Sequence, residues 1–242
     1  MLKTNPNAFE VVQTTLSKVK ELSQPVRNFI LHILPLWLSL NCRYVFMNMQ
    51  RWGGRNEKSY RRMFSKTINW FAFNLEVVKA CLAKKKVIAV FDPSYLKKSG
   101  KKTYGLAKFY SGTAGRAQKG LEVGCLALVG VQDHTALHLL CQQSPSPESL
   151  HLKGKTLVDH YAEVVVAHAA TIKRLTPYVV VDGYFMKKDF IAPVRTEGLQ
   201  VITKARSDAN LQYVYKGKQK ARGRKRIRDG KIDIRHLHTR KE

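Results

Sequence analysis

The chain has 242 residues, 44% of them hydrophobic, which is enough to bury a core and too apolar for wholesale disorder. Lys and Arg number 43 against 17 Asp and Glu, a formal charge of +26. A surplus that large repels itself and calls for a polyanion: nucleic acid first, an RNA-associated role next, an anionic membrane surface third.

Residues 1 to about 80 read as helical. Phe9, Val12, Leu16, Val19 and Leu22 recur at three- and four-residue intervals, and Pro25 punctuates the run. The N-terminus MLKTNPNAFEVV lacks the apolar core of a secretory signal. The greasiest stretch, Phe29 to Leu40, is too short to span a bilayer and contains His32 and Pro35. It is expected as a buried helix with a kink or break before Pro35, and membrane insertion is not expected. Asn41 to Gln50 and Glu57 to Lys66 suit two further helices, with Arg51 to Arg55 as the turn and Asn56 as N-cap. In the second of these, Tyr60, Met63 and Phe64 share an inner face, leaving Arg55, Lys58, Arg61, Arg62 and Lys66 mainly outside. Helix, glycine turn and cationic helix is the layout of a helix-turn-helix DNA reader, and equally of an ordinary helical hairpin with a solvated basic face.

From about 84 to 205 strand-like and helical runs alternate. Val87 to Phe91 is expected as a strand that stops at the polar turn Asp92-Pro93-Ser94. Tyr104 to Ser111, Leu121 to Gln132 and Ala136 to Gln142 give three more, the last two joined across Asp133-His134, and Ser144 to Pro147 reads as a loop. Leu157 to Leu175 is expected as one long apolar helix. The strand Tyr178 to Val181 then ends at Asp182, and a helix around Met186 to Glu197 leads to the strand Leu199 to Lys204. This order predicts an α/β fold, a mixed sheet with flanking helices. Residues 206–242 read as basic and loop-like. Lys216, Lys218, Lys220, Arg222, Arg224, Lys225, Arg226 and Arg228 crowd there around Gly217 and Gly223, a run suited to phosphate contact without base reading.

Asp92 and Asp182 occupy equivalent places, each at the C-terminal end of an apolar strand, where side chains leave the core on a rigid support. Two carboxylates converging there could hold Mg²⁺, or Mn²⁺ in its place, through hard oxygen ligands. A pair of such ions, roughly 3.5–4 Å apart, would activate a hydroxyl or water against a phosphodiester. Either aspartate taken singly also suits a turn. Asp133 in its hairpin, Glu163 along a helix and His236-x-His238 without cysteine partners suit structural or solvated roles. The scattered Cys42, Cys81, Cys125 and Cys141 are expected as reduced thiols, mostly buried, in a cytosolic protein.

The stretches RWGGRNEKSYRRMFSK (51–66), VIAVFDPSYLKKSGKKTYG (87–105), KGLEVGCLALVGV (119–131), VVVDGYFMKKDF (179–190) and VITKARSDANLQYVYKGKQKARGRKRIRDGK (201–231) resemble bacterial insertion-sequence transposases of the DDE class. The resemblance implies a ribonuclease H-like catalytic core (84–205) behind a helical DNA-binding region (1–80), with 206–242 as the start of an insertion. It implies Asp92 and Asp182 as the first two metal ligands, Mg²⁺-dependent cleavage and joining of double-stranded DNA, a homo-oligomer on DNA, and a cytoplasmic, nucleoid-associated place in bacteria. The family's third ligand is a Glu on a later helix, in a Y-x-x-R-x-x-x-E context. No such segment follows Asp182; Glu197 comes too early and Glu242 has no helix to support it. The expectation is therefore a chain incomplete at its C-terminus and inactive alone, or a non-catalytic DNA-binding remnant.

Overall fold

The computed structural model describes residues 8–20, 22–82, 85–100, 102–206 and 208–233; His236, His238 and Glu242 lie outside them. Five helices come first: α1 (Ala8–Lys18), α2 (Gln24–Ser39), α3 (Phe46–Gly53), α4 (Glu57–Phe64) and α5 (Trp70–Cys81). Leu16, Val19, Phe29, Ile30, Ile33, Leu36, Met49, Tyr60 and Met63 pack into one apolar cluster. Arg27 fastens α1 to α2, its guanidinium donating to the carbonyls of Leu16, Val19 and Leu22 at the end of α1, where unpaired carbonyls favour a cation. The expected break before Pro35 is absent: α2 runs through it to Ser39. Its buried side chains, Val26 through Leu36, hold the helix against the cluster on both sides of the proline, which outweighs the missing donor.

The turn between α3 and α4 falls later than expected, because Gly53 still belongs to α3 and Gly54 supplies the left-handed residue (φ 69°) that ends it. Asn56 caps α4 as expected, its side chain accepting from the Lys58 N–H at 2.8 Å.

The sheet contains β1 (Val87–Lys97), β2 (Ala107–Ser111), β3 (Arg116–Gly130), β4 (Ala136–Gln143), β5 (Tyr178–Val181) and β6 (Gln200–Thr203). Its order is β2-β3-β1-β5-β6, with β4 sharing the β2 edge of β3. β1 lies antiparallel to β3 from Val87 opposite Gly130 to Lys97 opposite Gly120, and parallel to β5. The strand expected to stop at Asp92 therefore continues five residues beyond it. β3 is longer than its apolar run and offers pairing all along β1. Pro93 is tolerated because β5 pairs with β1 only at Ala89 and Val90, leaving an open edge beyond.

Between β4 and β5 lie α6 (Pro147–His151), α7 (Leu157–Ala167) and α8 (Ala169–Leu175); α9 (Lys188–Thr196) links β5 to β6. The loop expected at Ser144–Pro147 thus shortens, since Ser146 caps α6 by accepting from the Ser149 N–H. The single helix expected over 157–175 is broken at His168 (φ −110°, ψ 4°), whose ring stacks on Phe71 of α5 at 4.3 Å. Phe91, Leu126, Leu128, Leu139, Tyr161, Val165, Val179, Val181, Phe185 and Phe190 form the second core cluster, where sheet and helices meet. Among the described residues no helix is long and apolar enough to cross a membrane.

The segment expected to be loop-like instead carries a two-stranded antiparallel sheet, β7 (Gln212–Val214) and β8 (Arg228–Lys231). The Tyr215 N–H donates to the Ile227 carbonyl at 3.0 Å, and Gln219 exchanges two hydrogen bonds with the backbone of Arg226. The Arg226 guanidinium lies over the Tyr215 ring at 4.7 Å and pairs with Asp229 at 2.7 Å.

Candidate active site

Alternation along β1 sends Ala89 and Phe91 into the core and leaves Asp92 on the other face with Ile88 and Val90. On β5, Val179 and Val181 are buried in the same way, and Asp182 follows on the side of Val180. The β1–β5 register pairs Ala89 with Val179 and Val90 with Val180, a constant offset of 90. Asp92 and Asp182 are also 182 − 92 = 90 apart, so the register continued two residues past its last pair sets them level, and the charge of Asp182 acts on Asp92. Neighbouring strands are about 4.8 Å apart, close enough for two carboxylates to share one cation.

Both side chains are exposed. The Asp92 carboxyl is held above the ordinary aspartate range, first by desolvation from the surrounding protein and then by the charge of Asp182. Asp182 is fixed more tightly. Its Oδ1 accepts from the Tyr184 N–H at 2.9 Å, capping the 3-10 turn Gly183–Phe185, and its carbonyl accepts from the Thr203 hydroxyl at 2.6 Å. Buried Phe185 anchors that turn in the core against Phe91 and Tyr161. A rigid strand end, a capped turn and a buried ring thus hold the exposed Asp182 side chain in place.

Beyond Asp182, a groove is lined by Met186, Lys187, Lys188, Ile191 and Arg206. Lys187 lies over the Tyr184 ring at 3.9 Å, while Arg206 is paired with Asp208 at 2.7 Å. Lys187 and Lys188 give this groove, which Asp208 also lines, a net positive edge that suits an anionic ligand.

No third carboxylate clusters with Asp92 and Asp182 among the described residues. Glu122 is buried and hydrogen-bonded by the Tyr161 hydroxyl, on the opposite face of the sheet from Asp92. Asp133 is taken up by Lys85, Glu163 pairs with Lys155 at 2.5 Å, and Glu197 closes the end of α9.

The cysteine expectation needs correction: Cys42, Cys81 and Cys141 are exposed and Cys125 is half-buried. Cys125 is the cross-strand partner of both Asp92 and Cys141, so a row Cys141–Cys125–Asp92 crosses the sheet and brings thiols beside the candidate carboxylates. Nothing in the local sequence signals this, since the row exists only through strand register.

The cations expected to meet DNA lie on two segments of the chain, around α4 and on the β7–β8 hairpin. On α4, Lys58 and Arg62 are exposed, as is Lys66 just beyond it; Arg55 is half-buried beside His32 and Tyr60. Arg61 is exposed but engaged, donating to Glu57 at 2.8 Å and stacking on Phe46 at 4.9 Å. Lys216, Lys218, Lys220, Arg222, Arg224, Lys225, Arg226 and Arg228 are all exposed on the β7–β8 hairpin and its connecting loop.

A family model described as DDE superfamily endonuclease matches residues 41–242, most of the chain and both aspartates. The chain belongs to the DDE superfamily endonuclease family. No match was found among curated proteins. Membership of the DDE endonucleases implies DNA as the substrate and a nuclease or transposase type of chemistry. Divalent metals are typical helpers in this superfamily. The oxygen donors of Asp92 and Asp182 fit such an ion, because a dication between them would offset both the desolvation and the Asp182 charge that raise the Asp92 carboxyl.

Proposed function

We propose that this DDE endonuclease is a transposase of the bacterial insertion-sequence type, with Asp92 and Asp182 as two carboxylates of its metal site. The observation that carries the reading is the shared 90-residue offset, which sets the two aspartates side by side at strand level. The mixed sheet with helices around it supports a ribonuclease H-like core over 84–205. The helices of 1–80 would serve as the DNA-binding region, and the basic hairpin within 206–242 as a further grip on duplex DNA. The α3–Gly54–α4 arrangement with a cationic second helix supports the first of these assignments, and the exposed Lys and Arg of the hairpin support the second.

In this reading Asp92 and Asp182 would hold Mg²⁺, with Mn²⁺ as substitute. The ion supplies a Lewis acid for the scissile phosphate and an activated hydroxyl at neutral pH. The protein's own part is positioning: the capped turn fixes Asp182, β1 fixes Asp92, and the flanking cations hold the phosphate backbone in register. Assembly as a homo-oligomer on DNA and a nucleoid-associated place in a bacterial cytoplasm belong to the same proposal.

A second reading is a DNA-binding chain that does not cleave. It is favoured by one observation, that the described residues cluster no third carboxylate with the pair. Incubating the 242-residue chain with supercoiled plasmid and with linear duplex in Mn²⁺ separates the readings. Expected are duplex binding that weakens steeply with salt and little or no cleavage, any that occurs disappearing in Asp92→Ala and Asp182→Ala. Binding with no cleavage at all leaves the second reading. Cleavage unchanged in both variants overturns the assignment of the pair.

A further inference from the structure

β4 carries an irregularity that changes which side chains share a face. Its register with β3 pairs Cys125 with Cys141 and Leu126 with Leu140, then skips a residue and pairs Ala127 with His138. Leu139 is the extra residue of a β-bulge. It is fully buried in the core, and its carbonyl accepts from the Asn74 side chain of α5 at 3.1 Å. In a regular strand His138 and Cys141, three apart, would point to opposite faces. The bulge puts them on the same face, beside Cys125 of the neighbouring strand.

The three ligand atoms lie within 4.8 Å of one another. The Cys125 and Cys141 sulfurs are 3.4 Å apart, and the Cys141 sulfur is 3.8 Å from His138 Nδ1. A tetrahedral zinc ion with its usual bond lengths spaces two thiolate sulfurs about 3.8 Å apart and a sulfur and an imidazole nitrogen about 3.5 Å apart. A disulfide would need the sulfurs at about 2.05 Å. We propose that Cys125, His138 and Cys141 form a binding site for a thiophilic divalent cation, Zn²⁺ by chemistry, separate from the carboxylate pair.

Two thiolates and an imidazole prefer zinc to magnesium, whereas the two aspartates prefer the harder ion. His138 and Cys141 are exposed, so the site has an open side through which an ion enters and a fourth position for water. Asp92 stands directly opposite Cys125 on β1. Burial, the hydrogen bond and charge of Cys141, and the charge of Asp92 push the Cys125 thiol up to about 12.

The test uses the reduced full chain, titrated with Co²⁺ and followed by thiolate-to-cobalt absorption, with Zn²⁺ stoichiometry measured by elemental analysis after dialysis. The expected result is one ion per chain, a thiolate-cobalt band removed by added Zn²⁺, and no displacement by excess Mg²⁺. Cys141→Ser, an exposed position, abolishes the band while leaving the circular dichroism spectrum unchanged. His138→Ala weakens uptake at least about tenfold, as loss of roughly 1.4 kcal/mol of binding requires. The double variant Cys42→Ser with Cys81→Ser keeps full uptake. Absence of the band in the reduced wild-type chain would overturn the proposal, as would its persistence in Cys141→Ser. Oxidation of Cys125 and Cys141 to a disulfide by dissolved O₂, as fast with excess Zn²⁺ as without it, would equally overturn it.

Discussion

Asp182 bears on the charge state of Asp92. Desolvation first, and the Asp182 carboxylate second, raise the proton affinity of Asp92 in the folded chain. A folded pKa above the unfolded value contributes stability that is present below the ordinary aspartate range and lost as pH rises through the raised value. At neutral pH the ion-free chain therefore carries a repulsion that Asp92→Asn or Asp182→Asn removes. Both variants should melt at or above the wild-type temperature at neutral pH, and their advantage should vanish in acid. Mg²⁺ should reverse the order. An ion at a hundred times its Kd adds about 2.7 kcal/mol, and each kcal/mol shifts the melting temperature of a chain this size by about 2–4 °C. That gain should appear in wild type alone. Scanning calorimetry at two pH values, with and without Mg²⁺, checks it; equal Mg²⁺ stabilisation of all three chains would contradict a shared site.

The basic hairpin should govern the salt dependence of DNA binding. Each phosphate contact contributes a slope of about −0.9 in log affinity against log salt. Replacing Lys216, Lys218 and Lys220 by alanine should flatten that slope by about two to three units and weaken binding to every duplex alike. Fluorescence anisotropy at several salt concentrations measures this. Arg226→Ala should cost more than any one of those lysines, because Arg226 also stacks on Tyr215 and pairs with Asp229.

Gly53 is where α3 touches α2. A Cβ there would strike the Tyr60 hydroxyl and approach Leu36 at 2.6 Å, both buried. Gly53→Ala should destabilise the helical region by about 1–3 kcal/mol, the usual cost of overpacking. Tyr60→Phe removes the 2.7 Å hydrogen bond with His32 Nε2 and should cost about 1 kcal/mol. Urea unfolding followed by tryptophan fluorescence would show both, and Gly53→Ala should be the more damaging.

Tyr161 supplies a hydroxyl to Glu122, whose side chain is buried between sheet and helix. Burial and then the Glu122 interaction hold the phenol far above its ordinary range, which favours its hydroxyl as the donor. Tyr161→Phe leaves a buried carboxyl without that donor and should cost about 1–3 kcal/mol. The double variant with Glu122→Leu should recover part of the loss, which a double-mutant cycle in urea would detect.

Much of the architecture was legible in the residues alone. Strand β5 ending at Asp182, the hairpin turn at Asp133-His134 and the Asn56 cap follow from apolar runs bounded by turn and capping residues. The +26 charge pointed to a polyanion, and the DDE family implies DNA. These features are local or additive, so each residue carries its own share of the signal. What tertiary structure decided was pairing. β1 was expected to stop at Asp92-Pro93, yet β3 draws it on to Lys97, because a long partner strand outweighs one proline on an open edge. The helix expected over 157–175 breaks at His168, where its ring meets Phe71. The level placement of Asp92 and Asp182 rests on the parallel register of two strands distant in sequence. The gathering of Cys125, His138 and Cys141 rests on a bulge that only the packing of Leu139 reveals. Register is set by hydrogen bonds and side chains contributed by another strand, and so no window of sequence around either residue contains it.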